Sequence, residues 1–501
     1  MDSSKEMLYG DNKVNKLDKY DRQLRLWALN GQSSLENAHI CLINVTTTNI
    51  ELLKNLILPG CSNFTIIDDK LLEKDLSTNF FWSEAESNIS IVENLKDLNP
   101  DANVNLLEES IQNILNKNDI EFWEQFSVVI TDDSLIFNDY EQKIVDILWH
   151  KNIPFIKNLS YGFYGFTKIV LREHPIIETH PQSLTDLRID CPWKELKEYI
   201  DSINLDEADS TEHAHIPYVI ILIKSLEIWK SEHDDKPPVD YKEKQQFKKL
   251  IESFSKYPNE PNFAEAVQFS WRASQSTNLP ESINELLNDV NDVNLTTPLF
   301  WIYVKALKKF LKKTMDMISD TVNYVSLQNI YRKKFEADKR MFIDEVEKLL
   351  ISIGRSLDEV DNELAAAFCK NSRFILIQKG TKCKLKLDDN IIQQINTVAN
   401  LKKHDVCLRP YSPEENYTKL FKSLKDIFKN NGVNEENISD TLSSVLKEFS
   451  RSGGIELHNI ASFMGGIGSQ EVLKLVTGQY IPLDNTFVFD GIRSTSENWK
   501  I

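Results

Sequence analysis

The stretch from His39 to Asp69 constrains the fold more than any other part of this chain. HICLINV is apolar and β-branched enough for a buried strand, IELLKNLIL has helical spacing, and NFTIIDD is a second strand that ends in acid. Together they predict a βαβ unit of about thirty residues. In a nucleotide-binding unit the first turn reads G-x-G-x-x-G, because only glycine lets the backbone close on a pyrophosphate at the start of the helix. Here it reads Asn44-Val45-Thr46-Thr47-Thr48-Asn49, without a glycine. Thr48 and Glu51 have the spacing of a capping box, which predicts that the orphan N–H groups are satisfied internally and that a carboxylate stands where a phosphate would.

The alternation continues beyond this unit. Ahead of it, Asp18 is placed to cap a helix, KYDRQLRLWALN, with Tyr20, Leu24 and Trp27 on one face and Arg22 and Arg25 on another. Downstream, NVNLLEESI and VVITDD read as strands, EQKIVDILWHKN as a helix, and PFIKNLSYG with GFTKIVLREH as further strands. The expected fold class is therefore α/β, a doubly wound, Rossmann-like sheet of the adenylation-domain type, interrupted by a large, mainly helical insertion. The expected boundaries are a disordered N-terminus at 1–15, the first part of the α/β domain at 16–174, the helical insertion at 175–452 and a closing helix and strand at 453–501. Pro175 opens an extended linker, HPIIETHPQ, and YVIILIKSLEIWKSE and PLFWIYVKALKKFLKK are typical of the helices that follow. FILIQKGTKCKLKLD is ambiguous and compatible with a strand pair.

A chain of 501 residues exceeds the size at which a single core stops growing. Its 58 basic and 76 acidic residues leave a formal charge of −18, which disfavours nucleic acid and anionic membranes and favours a neutral or basic protein partner, or simply solubility. The first fifteen residues are not expected to form a signal peptide and the apolar run around Tyr218 is too short to span a bilayer, so a soluble intracellular protein is expected. The six cysteines show no C-x-x-C pair and no metal-ligand spacing with histidine. Only Cys383, between Lys382 and Lys384, has the basic surroundings that lower a thiol pKa.

Other candidates read as structural. Asp68 and Asp69 occupy the position where a dinucleotide fold contacts ribose, but without the glycine turn they are expected to be strand-end caps or solvated charges. His213 and His215 are spaced to share one side of a strand, yet no third ligand accompanies them and no metal is expected. Gly465-Gly466-Ile467-Gly468 keeps helical spacing and has no strand leading into it, so it predicts two helices in close approach rather than a phosphate loop.

Tyr20-Asp21-Arg22-Gln23-Leu24, then Gly31-Gln32-Ser33-Ser34-Leu35, then strand, turn and helix, resembles the opening of the activating enzymes for ubiquitin-like proteins and of their sulfur-carrier relatives. Within that family, HICLINVTTTNIELLKNLILPG, HPIIETHP, DYKEK and HNIASFMGGIGSQEVLKLVTGQYIPLDNTFVF are similar to the regulatory subunits that serve the neddylation modifier, and the likeness runs nearly end to end.

The resemblance implies a heterodimer of two related α/β domains. In it the catalytic partner binds ATP and magnesium, adenylates the modifier's C-terminal glycine, takes the modifier on its own cysteine as a thioester and passes it to a conjugating enzyme. It implies that this chain holds neither cofactor nor metal, and four departures from the active pattern agree. Asn44, Thr46, Thr47 and Asn49 replace the glycine turn; KLLEKDLSTNFFW follows Asp68-Asp69 without the arginine-glutamine of active copies; Asp132-Asp133 lacks its downstream arginine; and no cysteine carries the threonine and later proline of a thioester site. The one catalytic residue implied is Arg22, reaching in trans toward the ATP of the partner, with Arg25 on the same face as a weaker candidate to assist. Read from the residues alone, Arg22 is a surface helix arginine paired with a nearby aspartate. The alternatives are the equivalent subunit for a sumoylation-type modifier, which the long insertion disfavours, and a non-enzymatic Rossmann-like scaffold, which the intact Y-x-R-Q segment disfavours. A self-sufficient adenylating homodimer would need the missing turn. Cytoplasm and nucleus are the expected locations.

Overall fold

In the computed structural model, which describes residues 18–69, 89–132, 140–179, 186–257, 260–312, 325–382, 448, 452 and 455–500, successive side chains of strand β1 (His39–Ile43) enter two different cores. Ile40 and Leu42 pack with Leu53, Leu56, Phe64, Ile66, Val128 and Val472. Cys41 and Ile43 pack with Ile67, Trp123, Ile144 and Leu148. A strand has a period of two, so an all-apolar strand needs helices over both faces of its sheet.

The chain supplies them by alternation. Helix α1 (Asp21–Asn37) precedes β1, and α2 (Thr47–Ile57) leads to β2 (Asn63–Ile67). Then come α3 (Ile89–Leu98), β3 (Asn103–Leu107), the short helices α4 (Ile111–Asn116) and α5 (Ile120–Glu124), β4 (Val128–Thr131), α6 (Tyr140–Lys151), β5 (Phe155–Tyr161), β6 (Tyr164–Val170) and β7 (Glu173–Ile176). Contacts divide the chain into two units, Met1–Ile176 with Ile377–Ile501, and Ile177–Leu376.

The second unit is helical: α7 (Lys194–Asp201), α8 (Ser210–Ala214), α9 (Tyr218–Glu232), α10 (Tyr241–Ser253), α11 (Pro261–Gln268), α12 (Glu281–Asp289), α13 (Leu299–Leu311), α14 (Val325–Ile353) and α15 (Asn362–Lys370). Val219 to Ile223 are all buried, so α9 runs through the middle of this unit, as a run without a polar face requires. Asp240 and Glu243 close a reciprocal capping box on α10. The buried Tyr331 hydroxyl donates to the Leu187 carbonyl at 2.6 Å.

The chain returns through β8 (Leu376–Lys379), which pairs with β7 in a two-stranded ribbon, and ends in α16 (His458–Thr477), β9 (Thr486–Asp490) and β10 (Thr495–Trp499). The main sheet has eight strands in the order β10-β9-β6-β5-β4-β1-β2-β3. From β5 to β3 all pairs are parallel, while β6, β9 and β10 join antiparallel. The fold is the doubly wound α/β class expected from the sequence, and the closing strand joins the sheet beside β6.

Several details differ from the sequence reading. Three of the nine residues of the supposed linker HPIIETHPQ belong to strand β7, and its pairing with β8 brings the chain back to the first unit at Ile377 instead of 453. Helix α1 starts at Asp21 with Tyr20, not Asp18, at its N-cap, and runs to Asn37 through a kink at Trp27 and Ala28. Ala28 has φ 56°, and at Gly31 a Cβ would lie 2.7 Å from the Trp27 Cβ, so the glycine is what lets the kink close. The expected disordered segment 1–15 and the ambiguous segment beyond residue 382, with Cys383, Cys407, Gly453 and Gly454, lie outside the described residues. No described helix is long and apolar enough to cross a membrane.

One buried group in this unit gives stability a pH dependence. His174 of β7 is 8% exposed, and burial pushes its imidazole down to about 4, against a hydrogen bond to the Lys474 backbone. The unfolded chain binds that proton near 6.5, so stability present above this value is lost as pH falls toward 4. His174→Gln is expected to flatten this limb of a urea-midpoint profile; an unchanged slope between pH 6.5 and 4 would rule the residue out as its source.

Candidate functional site

Strand β1 lies between β2 and β4, with the chain running outward through β2 and β3 on one side and through β4 and β5 on the other. Such a reversal opens a crevice at the carboxyl ends of β1 and β4, the usual ligand position of doubly wound sheets. Four short segments line it: Asn44–Asn49, Asp68, Asp132 and the turn region of the β5–β6 hairpin.

Asn44 takes the left-handed turn, φ 63°, that a glycine would otherwise make. Asparagine tolerates this conformation because its short amide bonds locally. Its N–H donates to the Ile67 carbonyl at 2.9 Å, and its side-chain amide to Asp132 Oδ1 at 3.3 Å, tying the ends of β1, β2 and β4 together. The Val45 N–H donates to Asp68 Oδ2 at 2.7 Å. Asp68 is 2% exposed, so it is the strand-end cap that its position suggested; Asp69 is exposed.

The first turn of α2 departs from the expected Thr48–Glu51 capping box. Thr46 is the N-cap, and its hydroxyl accepts from the Asn49 N–H at 3.2 Å. With the cap two residues earlier, Thr48 lies inside the first turn and Glu51 points elsewhere, to Lys54 and to the Ser462 hydroxyl, 2.9 Å away. The carboxylate expected at the phosphate position is nonetheless present, supplied by Glu456. The Thr47 N–H donates to its Oε2 at 2.6 Å, and the Thr48 N–H and hydroxyl donate to Oε1 at 3.2 and 2.5 Å. The Ser160 hydroxyl lies 3.4 Å from the same oxygen and 2.8 Å from that of Thr48. Every N–H of the helix's first three residues thus has a partner. Burial holds the Glu456 carboxyl above the usual carboxylate range, opposed by the donors of Thr48 and Thr47.

This arrangement does not fit a nucleotide. The amides that would receive phosphate are bound to Glu456, no glycine allows close approach, and the acid at the ribose position holds the Val45 amide. Nothing in the sequence reading marked Glu456. It is an isolated acid in SGGIELHN, and 408 residues separate it from Thr48.

Arg22 lies elsewhere. It is exposed on the first segment of α1, and its guanidinium has no ion-pair partner among the described residues, while Arg25 pairs with Asp21 at 2.9 Å. Buried Tyr20 packs beside Gly60 in the loop entering β2, and the Lys19 ammonium donates to Asn99 ahead of β3 at 2.9 Å. Both anchors are at the amino ends of the parallel strands, so the length of a five-residue strand, about 16 Å, separates them from the crevice. An arginine side chain does not bridge that gap within its own chain.

Among the described residues, the remaining candidates form no site. His213 and His215 belong to the end of helix α8, not to a strand; buried His213 Nδ1 is 2.5 Å from Glu260, and exposed His215 bonds back to the Thr211 carbonyl. No cluster of metal-ligating residues occurs among the described residues. Cys41, Cys61 and Cys369 are buried, and burial pushes their thiols up, that of Cys61 to about 12, the opposite of an activated nucleophile. Cys191 is exposed.

Fold and crevice together define a nucleotide-binding type of α/β domain whose phosphate position is filled by one of its own carboxylates. The chain belongs to the ThiF family, whose model matches residues 20–501. It is similar over nearly its whole length to proteins named NEDD8-activating enzyme E1 regulatory subunit. That of Gallus gallus is 33% identical, covering 97% of this chain and 98% of the relative; that of Xenopus laevis is 34% identical, covering 97% and 99%. The Saccharomyces cerevisiae protein of the same name is 26% identical, covering 97% and 100%. The resemblance drawn from Tyr20–Leu24 and the segments around it therefore extends along the chain.

Proposed function

We propose that this chain is the regulatory half of a heterodimeric enzyme that activates NEDD8. A catalytic partner of the same fold binds ATP and magnesium, joins AMP to the C-terminus of the modifier, and receives the modifier on its own cysteine before transfer to a conjugating enzyme. This chain contributes interface, its helical unit and Arg22, directed at the triphosphate of the partner. A planar, permanently charged guanidinium suits that task, because it donates paired hydrogen bonds to phosphate oxygens and offsets the charge that develops as pyrophosphate leaves.

The observation that carries this reading is the Glu456 carboxylate on the Thr47 and Thr48 amides, which removes the chain's own phosphate position. The placement of Arg22 at the far end of the strands supports action in trans, and a formal charge of −18 suits a protein partner rather than nucleic acid. The decisive assay is ATP–pyrophosphate exchange with NEDD8, run on this chain alone and with the catalytic subunit added. Exchange in the mixture only is expected; exchange by the isolated chain would overturn the reading.

A further inference from the structure

The helical unit holds a cleft of about 290 Å³ whose walls come from three segments distant in sequence: residues 186–190 ahead of α7, residues 272–280 ahead of α12, and Arg373 with Phe374 after α15. Three arginines line it. The Arg188 side chain is 6% exposed, and its Nε lies 3.1 Å from Asp186 Oδ2. Its backbone takes φ 53°, a left-handed conformation that a long side chain rarely adopts, and its N–H donates to Asp186 Oδ1 at 3.0 Å. Arg373 Nη1 donates at 2.9 Å to the same carboxylate and to the Thr277 carbonyl, while its Nη2 donates to the Ser276 and Asn278 carbonyls at 3.2 and 2.9 Å. Arg272 lies over the rings of Phe269 and Trp271, 5.6 and 5.3 Å from their centroids, which sets the plane of its guanidinium.

Stability accounts for part of this arrangement. Arg373 staples the 276–278 loop to Asp186, and Asp190 Oδ2 secures that loop again through the Thr277 N–H and hydroxyl at 2.8 and 3.1 Å. Two further guanidiniums are not needed for the staple, and gathering like charges round one cleft costs repulsion. Among the lining residues only Asp186 and Asp190 oppose the three arginines, and the Lys230 ammonium donates to the Asp190 carbonyl at 3.1 Å. The cleft is therefore cationic in a chain whose formal charge is −18. Repulsion and a left-handed arginine kept together in a cross-linked cleft point to a ligand.

We propose that this cleft binds a phosphate monoester. Planar guanidiniums donate paired hydrogen bonds to phosphate oxygens, and arginine clusters are a recurring receptor for phosphorylated side chains. The excess of cations suits the charge of about −1.5 to −2 that such a group carries at neutral pH. The volume lies at the small end of ligand pockets, which run from about 300 to 1,000 Å³, and so suits a phosphorylated side chain or a small organic phosphate.

The test is calorimetric titration of the full-length chain with three probes: a glycine-flanked phosphoserine peptide, the same peptide unphosphorylated, and glycerol phosphate. Saturable binding of the phosphorylated probes is expected, with none of the unphosphorylated peptide. A phosphopeptide that binds more tightly than glycerol phosphate assigns the site to a modified protein segment; equal or weaker binding assigns it to a small organic phosphate. Arg272→Gln should weaken binding about tenfold, the loss of one charge-assisted hydrogen bond. Gln275→Glu places a carboxylate at an exposed position of the cleft wall with almost no change of shape, and should weaken binding similarly. It also serves as the test if Arg272→Gln fails to fold. Unchanged affinity in folded Gln275→Glu, or no saturable binding of either phosphorylated probe to the native chain, overturns the proposal.

Discussion

Replacing Arg22 with alanine is expected to slow adenylate formation by the assembled enzyme about 10²–10³-fold, the effect of removing one preorganised donor from a developing oxyanion. The chain should fold as before, since Arg22 is exposed and its guanidinium has no ion-pair partner among the described residues. Assembly should persist too, because the helix is anchored by Tyr20, Gln32 and Leu35 rather than by its charges. The loss belongs in kcat more than in KM for ATP, because charge accumulates as pyrophosphate departs. Arg22→Lys should recover only part of the rate, since an ammonium cannot bind two phosphate oxygens side by side. Arg25→Ala is the internal control. Its pair with Asp21 is exposed on both sides, 77% and 57%, and should be worth little. Wild-type exchange by the Arg22→Ala complex would remove the residue from the reaction.

Gly465→Leu is expected to destabilise the first unit by about 3–5 kcal/mol, at the upper end of what overpacking does. A Cβ at Gly465 would stand 2.7 Å from the Glu51 Cβ and 2.9 Å from the Leu52 backbone nitrogen, both in α2. Backbone cannot rotate out of the way as a side chain does, so α2 and α16 would have to part. Parting them opens the core of Leu52, Leu53, Leu56 and Val472. Neighbouring Gly466 supplies the opposite expectation: a Cβ there meets nothing within 4 Å. Gly466→Ala should therefore stabilise by up to about 1 kcal/mol through helix propensity alone. Urea unfolding of both variants decides the matter, and equal effects from the two substitutions would refute the close-approach account of this glycine run.

These two residues also show how much of the packing is legible in the sequence. Glycines at helical spacing in FMGGIGSQ already implied a helix pressed against another, because small residues there serve nothing else so well; which of them touches the neighbour is a matter of rotation about the helix, and only the fold assigns it to Gly465 and Gly468. The Y-x-R-Q segment marked Arg22 through resemblance. Its position at the amino ends of the strands follows from Tyr20 on Gly60, a contact between residues forty apart in sequence.

What the sequence determined by itself is what local chemistry encodes. β-branched and apolar runs made strands with two buried faces, helical spacing made the helices between them, and the alternation of the two dictated a doubly wound sheet. The missing glycine turn at Asn44–Asn49 was equally plain, since a backbone that must close on pyrophosphate has no substitute for glycine. Tertiary structure decided what fills the vacated position. Spacing alone favoured Glu51, four residues inside its own helix, yet that carboxylate went to Lys54 and Ser462 while Glu456 took the Thr47 and Thr48 amides. A helix start attracts any carboxylate brought within reach. Which one arrives depends on where β8, α16 and the sheet bring the returning chain, and that is a property of topology rather than of neighbouring residues.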